Sequence, residues 1–401
     1  MIANIASIEV LRKHPMYKYL LIQTFGIAVA LSGTAAVYTN YAVEIAGLTG
    51  AQMGIVQSVR EIPGLLSFTL LAFLLLTTEM RLMSFSVLLI GLGIYALGFF
   101  PHFWGILICL LITSIGFHYT ESVGQSLTLQ HFDRHESPLV IGSMRSITAL
   151  GSFSIGLMVF LLAGTLSYPV MFLIIGSGCF LGGIWGVAQK NIPNKSGPQQ
   201  KGFVIRKKYW LYYVLNILSG GRRQIFAVFS ILLLVDKFGF SLREIALLFL
   251  VNYFINWLLN RYIGKVILRF GERRLLTVKY CVLMLVFVAY AHSDSAMVVA
   301  MLYVVEQLFF NFTIAIRTFF QKIAAPEDIA PSMAMGVTFN HVAAVLVPAL
   351  GGFLWMINFQ LVFYMGACLV ACSLVALQFM NRQLAQAESL AEKGADVGKP
   401  A

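Results

Sequence analysis

Charged side chains are scarce in this chain: Asp, Glu, Lys and Arg together make up 11% of its 401 residues, where a soluble domain carries about a quarter. That excludes a protein whose whole surface faces water. Acids are rarer still than bases, 17 against 28. The five cysteines (Cys109, Cys179, Cys281, Cys368, Cys372) all fall inside apolar runs, with no Cys-x-x-Cys pair and no Cys/His cluster. Neither a disulfide framework nor a zinc site is expected. No glycine-rich phosphate loop ending in Gly-Lys-Ser/Thr occurs, so ATP is not expected as the energy source. Paired intramembrane histidines at haem spacing and a soluble catalytic constellation are lacking as well. No cofactor, no metal and no enzymatic activity are expected.

What the chain has in abundance is apolar sequence: 59% hydrophobic residues and a mean hydropathy of +0.83. Runs bounded by Gly, Pro or charge fall at 17–43, 51–76, 82–100, 103–129, 139–163 and 168–188, and again at 209–235, 242–263, 275–291, 296–321, 331–356 and 359–380. Each is long enough to cross a hydrocarbon core of about 30 Å as a helix. A closed barrel would require alternating apolar and polar residues, which these runs do not show. The fold class expected is an all-α membrane protein of about twelve transmembrane helices. The segment before the first run lacks a signal-peptide pattern, so the N-terminus is expected to be retained.

One hydrophilic stretch, 189–208, divides the runs six and six. The expected organisation is a six-helix bundle over 1–188, a cytoplasmic linker over 189–208, a second bundle over 209–381 and a disordered cytoplasmic tail over 382–401. Most of the 28 basic residues lie on the side of the linker, in inner loops, tails and inner span ends. Two, Lys237 and Arg243, lie in outer loops, and four (Arg60, Arg145, Arg222, Arg223) sit deeper in spans. This asymmetry predicts cytoplasmic termini in a plasma (inner) membrane. The net charge of +11 then faces anionic lipid head groups rather than nucleic acid. The halves also align without gaps over one stretch. Gly47–Leu–Thr49 falls on Gly239–Phe–Ser241, Gln52 on Glu244 and Arg81 on Arg273, which supports an internal duplication.

At the inner end of the eighth span the sequence runs Gly264-Lys-Val-Ile-Leu-Arg269-Phe-Gly271-Glu-Arg273-Arg274. It resembles the G-x-x-x-D-R-x-G-R-R loop of the major facilitator superfamily, with Leu268 at the acidic position. The resemblance implies two pseudo-symmetric six-helix bundles and secondary active transport by alternating access, with Gly264, Arg269, Gly271, Arg273 and Arg274 as gating and structural elements. Pro348, Gly351 and Gly352 are similar to the core of that family's antiporter motif, placed here in the eleventh span instead of the fifth. They read as a helix kink with a slight tilt towards export.

Ionisable groups in a span each cost about 2.5–3.5 kcal/mol by insertion scales and so face a partner or a cavity. The clearest case is Gly220-Gly221-Arg222-Arg223 at the middle of the seventh span, where paired glycines are expected to weaken the helix. A guanidinium there matches a carboxylate or phosphate, and equally a protein carboxylate. The substrate-binding candidates are Arg222, Arg223, Arg60, Asn252, Asn256, Tyr119, Asn311 and Asn340. Asn252, Asn256 and Asn260 share one helix face by spacing. The proton-coupling candidates are Glu61, Glu121, Glu306, His118 and His341. Glu121 and Arg145 fall at similar depth and are expected to form a bridge of gating or structural character. The function these residues suggest is proton-coupled transport of a small anionic organic solute by a monomer, with export slightly favoured. Two other readings stay open: a neutral or lipid-like substrate with structural arginines, and a transport-inactive sensor or accessory subunit.

Overall fold

A computed structural model describes residues 11, 13–66, 69–132, 136–193 and 205–386. These residues hold twelve long helices and no strand: α1 (Pro15–Asn40), α2 (Gly50–Leu65), α3 (Glu79–Leu97), α4 (Phe103–His131), α5 (Ser137–Leu162), α6 (Tyr168–Ala188), α7 (Trp210–Ile225), α8 (Leu242–Phe270), α9 (Glu272–His292), α10, α11 (Pro326–Ile357) and α12 (Phe359–Leu377). Helix α10 is two pieces, Ala296–Phe310 and Ile314–Ile323, joined by the 3-10 turn Asn311–Thr313. Eleven of the helical runs are long and apolar enough to cross a membrane. The exception is α2, which has 16 residues with Pro63 inside. Helical residues continue past α12 to 386, where Met380 and Gln383 are buried; the rest of the tail and the central part of the linker lie outside the described residues.

The duplicated stretch has the same local structure twice. Helix α1 runs into a π-turn at Tyr41–Ile45, and α7 is followed by one at Leu233–Lys237. Gly47 and Gly239 then take left-handed backbone, φ +61° and +66°, which ends a helix at little cost only when Cβ is absent. Thr49 and Ser241 next cap α2 and α8. The Thr49 amide donates to Gln52 Oε1 at 3.0 Å and the Gln52 amide to Thr49 Oγ1 at 3.3 Å. The Ser241 amide donates to Glu244 Oε2 at 2.8 Å and the Glu244 amide to Ser241 Oγ at 3.4 Å. Each is a reciprocal capping box.

The chain divides into two compact units. The first comprises Met1–Gln52, Val59–Gln199 and Val235–Phe254, the second Met53–Ser58, Gln200–Leu234 and Ile255–Ala401. In the first unit α3 packs on α4 and α6, and α1 on α5 and α6. Glycine sets these distances: a Cβ on Gly26 of α1 would stand 2.7 Å from the Gly178 carbonyl of α6. Small residues let membrane helices gain dispersion contact where lipid leaves no hydrophobic driving force. In the second unit the principal contacts are α7 with α11 and α12, and α9 with α12 and α10. A Cβ on Gly220 would stand 2.3 Å from the Asn340 carbonyl oxygen of α11. The pattern Pro348–Gly352 serves as a seat for α2, since a Cβ on Gly54 would stand 2.2 Å from the Pro348 carbonyl, and Ser58 Oγ accepts the Ala349 amide at 2.8 Å.

In the second unit, Asp328 in the first turn of α11 gathers the residues that precede α7. It accepts from Arg206 Nε at 3.1 Å, Lys208 Nζ at 3.1 Å and Tyr209 Oη at 3.0 Å. Tyr209 Oη in turn accepts the Ala325 amide at 3.0 Å. The Lys208 ammonium first, and then the Tyr209 hydroxyl and Arg206 guanidinium, hold the Asp328 carboxyl below the usual carboxylate range.

Gly220→Ala must push α11 away and should lower the detergent-solubilised unfolding midpoint, at a cost of about 1–3 kcal/mol. Gly142→Ala in α5, where nothing lies within 4 Å of the added atom, should be neutral or raise stability by up to about 1 kcal/mol. For Asp328, a folded pKa below the unfolded one means that its contribution is complete above about pH 4 and is lost as pH falls further. Asp328→Asn should lower the midpoint at pH 7 and flatten this acid limb; an unchanged acid limb would contradict the assignment.

Candidate functional site

The polar residues of the spans and their connections fall into three groups: those sealed inside a unit, those left partly open, and those around the loop between α8 and α9. The sealed group is the most concentrated. The helical run Lys207–Lys237 has Arg222 at its centre, and the residue is 3% exposed. Helix α7 continues through Gly220 and Gly221, contrary to the expected weakening there. The glycines admit α11 and α12 instead, and the irregularity comes one turn later as a π-turn at Phe226–Ser230. Such turns add a residue to the helix and are frequent at functional positions.

Arg222 lies over the Tyr280 ring of α9, its guanidinium carbon 5.0 Å from the centroid. Its Nη2 donates to Ser219 Oγ at 3.5 Å, a long contact, and its Nη1 has no hydrogen-bond partner. Lys279, wholly buried, places its ammonium 5.7 Å from the same ring centroid. Its one oxygen partner is Thr313 Oγ1 of the α10 turn, at 2.5 Å. Glu306 of α10 is 3% exposed and interacts electrostatically with Arg222 and Tyr290. No direct ion pair joins Arg222 to Glu306, and Glu306 Oε2 and the Tyr280 and Tyr290 hydroxyls make no regular hydrogen bond. The cluster therefore holds two basic groups and one acidic group, with donors and acceptors left over on both sides.

Lys279 escaped the sequence reading because it lies close enough to Arg273 and Arg274 to be counted with the inner loop charges. Helix α9 begins at Glu272, which puts Lys279 two turns inside. The available signal was its position within the apolar run 275–291.

The partly open group includes several sequence candidates. Arg223 is intermediate in exposure, as are Arg60, Glu61, Asn256, Asn311 and Asn340. Asn311 Nδ2 donates to Asn256 Oδ1, and to Gln307 O at 3.3 Å, so two of the predicted amides meet where α10 breaks. Asn340 Nδ2 donates to the Asn216 carbonyl at 3.1 Å, tying α11 to α7 one turn before Gly220. Asn252 is buried and its Nδ2 has no hydrogen-bond partner; the side chain of Asn260 is outside the described residues. In the first unit Tyr119, 9% exposed, bonds through its hydroxyl to Thr69 Oγ1 at 2.7 Å, and Ser114 Oγ donates to the Arg60 carbonyl. His118 and His341 are both buried.

The expected Glu121–Arg145 bridge is not formed. Both residues are exposed and no ion pair joins them. Helix α5 packs along α1 and touches α4 only sparsely, which leaves the two faces apart.

The loop between α8 and α9 turns at Gly271, φ +77°. Arg273 Nη2 donates to Gln378 Oε1 at 3.0 Å, while Arg269 and Arg274 are exposed. Gly264 lies in α8; its surroundings, like the side chain of Leu268, are outside the described residues. An acid absent from position 268 is present four residues later. Glu272 is 6% exposed and binds Lys322 Nζ at 2.8 Å, joining the start of α9 to the end of α10.

Comparisons with known proteins agree with this architecture. Residues 20–326 and 212–398 match the family model described as Major Facilitator Superfamily. No curated protein matches in sequence. Among solved structures, the chain is similar to the nucleoside transporter NupG, with 15% identity and a TM-score of 0.74 over 92% of this chain and 99% of that one. It is similar to a bacterial homologue of the human lysosomal transporter Spinster, inward-facing and unoccupied, at 12% identity and a TM-score of 0.74 over 94% and 99%. The peptide transporter POT in complex with sulfate gives 13% identity and a TM-score of 0.71 over 93% and 94%.

The charge balance of the sealed cluster is testable. Lys279→Met removes one of the two basic groups and keeps the volume, so its unfolding midpoint should stay within about 1.5 kcal/mol of the wild type or exceed it. Glu306→Gln strands both basic groups and should cost about 3 kcal/mol. The reverse ranking would show that Glu306 is not the counter-charge.

Proposed function

Because the chain belongs to the Major Facilitator Superfamily, we propose that this multi-pass membrane transporter moves a small anionic organic solute by alternating access, coupled to protons and directed outward. The observation that carries the anionic reading is Arg223. It stands beside the centre of the helical run Lys207–Lys237, and it is partly open whereas its neighbour Arg222 is sealed. A guanidinium at that depth is too costly to leave in hydrocarbon, so its open side faces water. In a carrier, water at mid-depth belongs to the solute passage. The second unit adds Asn256, Asn311 and Asn340, also partly open, as hydrogen-bonding groups for a polar solute. In the first unit Arg60 and Glu61 stand partly open on α2 near the Pro63 interruption. A guanidinium fork selects carboxylate or phosphate by paired, charge-assisted hydrogen bonds.

Proton coupling would use one of Glu61, Glu121, Glu306, His118 or His341. The outward direction rests on the Pro348–Gly351–Gly352 pattern. The bundles of the working carrier are taken as 1–188 and 209–381, joined by a cytoplasmic linker over 189–208. Both termini and the tail from 382 face the cytoplasm of a plasma (inner) membrane, and the carrier acts as a monomer.

Organic anions that raise the unfolding midpoint of the purified protein should be carried by proteoliposomes under an imposed pH gradient. Arg223→Ala should reduce that flux ten- to a hundredfold, as expected for loss of about 1.5–3 kcal/mol of charged hydrogen bonding. Full flux in the variant, or stabilisation by neutral solutes alone, would remove the anionic reading.

A further inference from the structure

We infer that the second unit contains a binding site for one small monovalent anion of halide size, formed by Arg222, Lys279 and Tyr280. It lies inside the unit, apart from the open Arg223, and does not depend on the transported solute being an anion.

Arginine stays protonated at any pH a protein survives, and Arg222 is 3% exposed. Lys279 is wholly buried, without a carboxylate partner. The other well-buried acids described in this unit are committed elsewhere, Glu272 to Lys322 and Asp328 to Arg206 and Lys208. Glu306 alone remains to balance two cations. With Lys279 protonated, the cluster carries one excess positive charge in a medium where an unpaired charge is expensive. One monovalent anion brings the sum to zero, whereas a sulfate or a doubly charged phosphate would overshoot it.

Arg222 Nη1 and the Tyr280 hydroxyl are buried with no hydrogen-bond partner, although Arg222 and Ser373 stand near that hydroxyl. Lys279 uses one of its three donors, on Thr313. Three donors from two helices are thus short of an acceptor around a single aromatic ring, which both cations approach at 5.0 and 5.7 Å. Buried polar atoms in folded proteins are ordinarily satisfied, and an orphan calls for an occupant. Glu306 does not fill the role, because its own Oε2 is also unsatisfied and no direct ion pair with Arg222 is formed. A carboxylate facing the same cluster weakens a second anion, which favours a compact, weakly hydrated ion over a bulky one.

The test uses the purified full-length protein in detergent at fixed ionic strength, with sodium gluconate replaced stepwise by sodium chloride, bromide or sulfate. Chloride and bromide should raise the unfolding midpoint along a saturating curve, as a ligand that binds only the folded state does; sulfate should not. Lys279→Met should fold and lose the halide response, and Tyr280→Phe should weaken apparent affinity several-fold. Line broadening of chloride-35 resonance by the wild type, absent in Lys279→Met, supplies a readout that does not depend on unfolding. No saturable halide effect and no line broadening in the wild type would overturn the site. So would an undiminished response in Lys279→Met, or an equal response to sulfate, which would mark general ionic stabilisation. Should Lys279→Met not fold, an undiminished response in both Tyr280→Phe and Arg222→Lys would be decisive against it. Arg223→Ala should leave the halide response intact, so failure of the solute reading and failure of this site are told apart.

Discussion

The demand that shapes the second unit is that Arg222, Lys279 and Glu306 be kept out of both lipid and bulk water. Each would cost kilocalories if left uncompensated in a low-dielectric interior, and none forms a direct ion pair with another. The surrounding helices answer with weaker but more numerous contacts. The Tyr280 ring lies against both cations, a threonine hydroxyl at the α10 turn meets the ammonium, and glycines bring α11 and α12 close to Arg222. The break in α10 belongs to the same solution. Asn311 and Thr313 at that turn reach Asn256 and Lys279 respectively, so one local irregularity serves two polar partners.

The first unit is organised on a different constraint. Its charged span residues Arg60, Glu61, Glu121 and Arg145 are partly or wholly open, and its interior is close-packed through small residues such as Gly26 and Gly178. Buried hydroxyls there return mostly to carbonyl oxygens: Thr34 to Ala30 O at 2.7 Å, Thr113 to Cys109 O at 2.9 Å and Thr128 to Gly124 O at 2.7 Å. Polar atoms satisfied within their own helix place few demands on neighbours. The two halves share one form of turn but hold their charges in different ways.

Much of the fold could be read before any coordinates, and particular residues show why. Span positions follow from apolar runs because a hydrocarbon core leaves the backbone no alternative to helix. The Gly47/Gly239 turns were visible because glycine followed by Thr or Ser at a helix start has a local cause. The side-chain network was not visible, because it depends on which faces of distant helices meet. Glu121 and Arg145 matched in depth and charge, yet α5 turns towards α1. Lys279 is near the inner loop in sequence and far from it in burial. The Gly220–Gly221 pair was read as weakening a helix, whereas in close packing it serves to admit a neighbour. The acid missing at Leu268 has a counterpart at Glu272, but only the fold reveals that Lys322 waits for it.

The contact at Gly220 also bears on motion. Where two helices meet backbone to backbone, no layer of rotamers lies between them to be reshuffled, so sliding one past the other has no low-energy intermediate. Helices α7 and α11 should therefore travel as a single lever in any conformational cycle. Compliance would be left to the π-turn at Phe226–Ser230, where an extra residue in the helical winding can be taken up or released without breaking the rod.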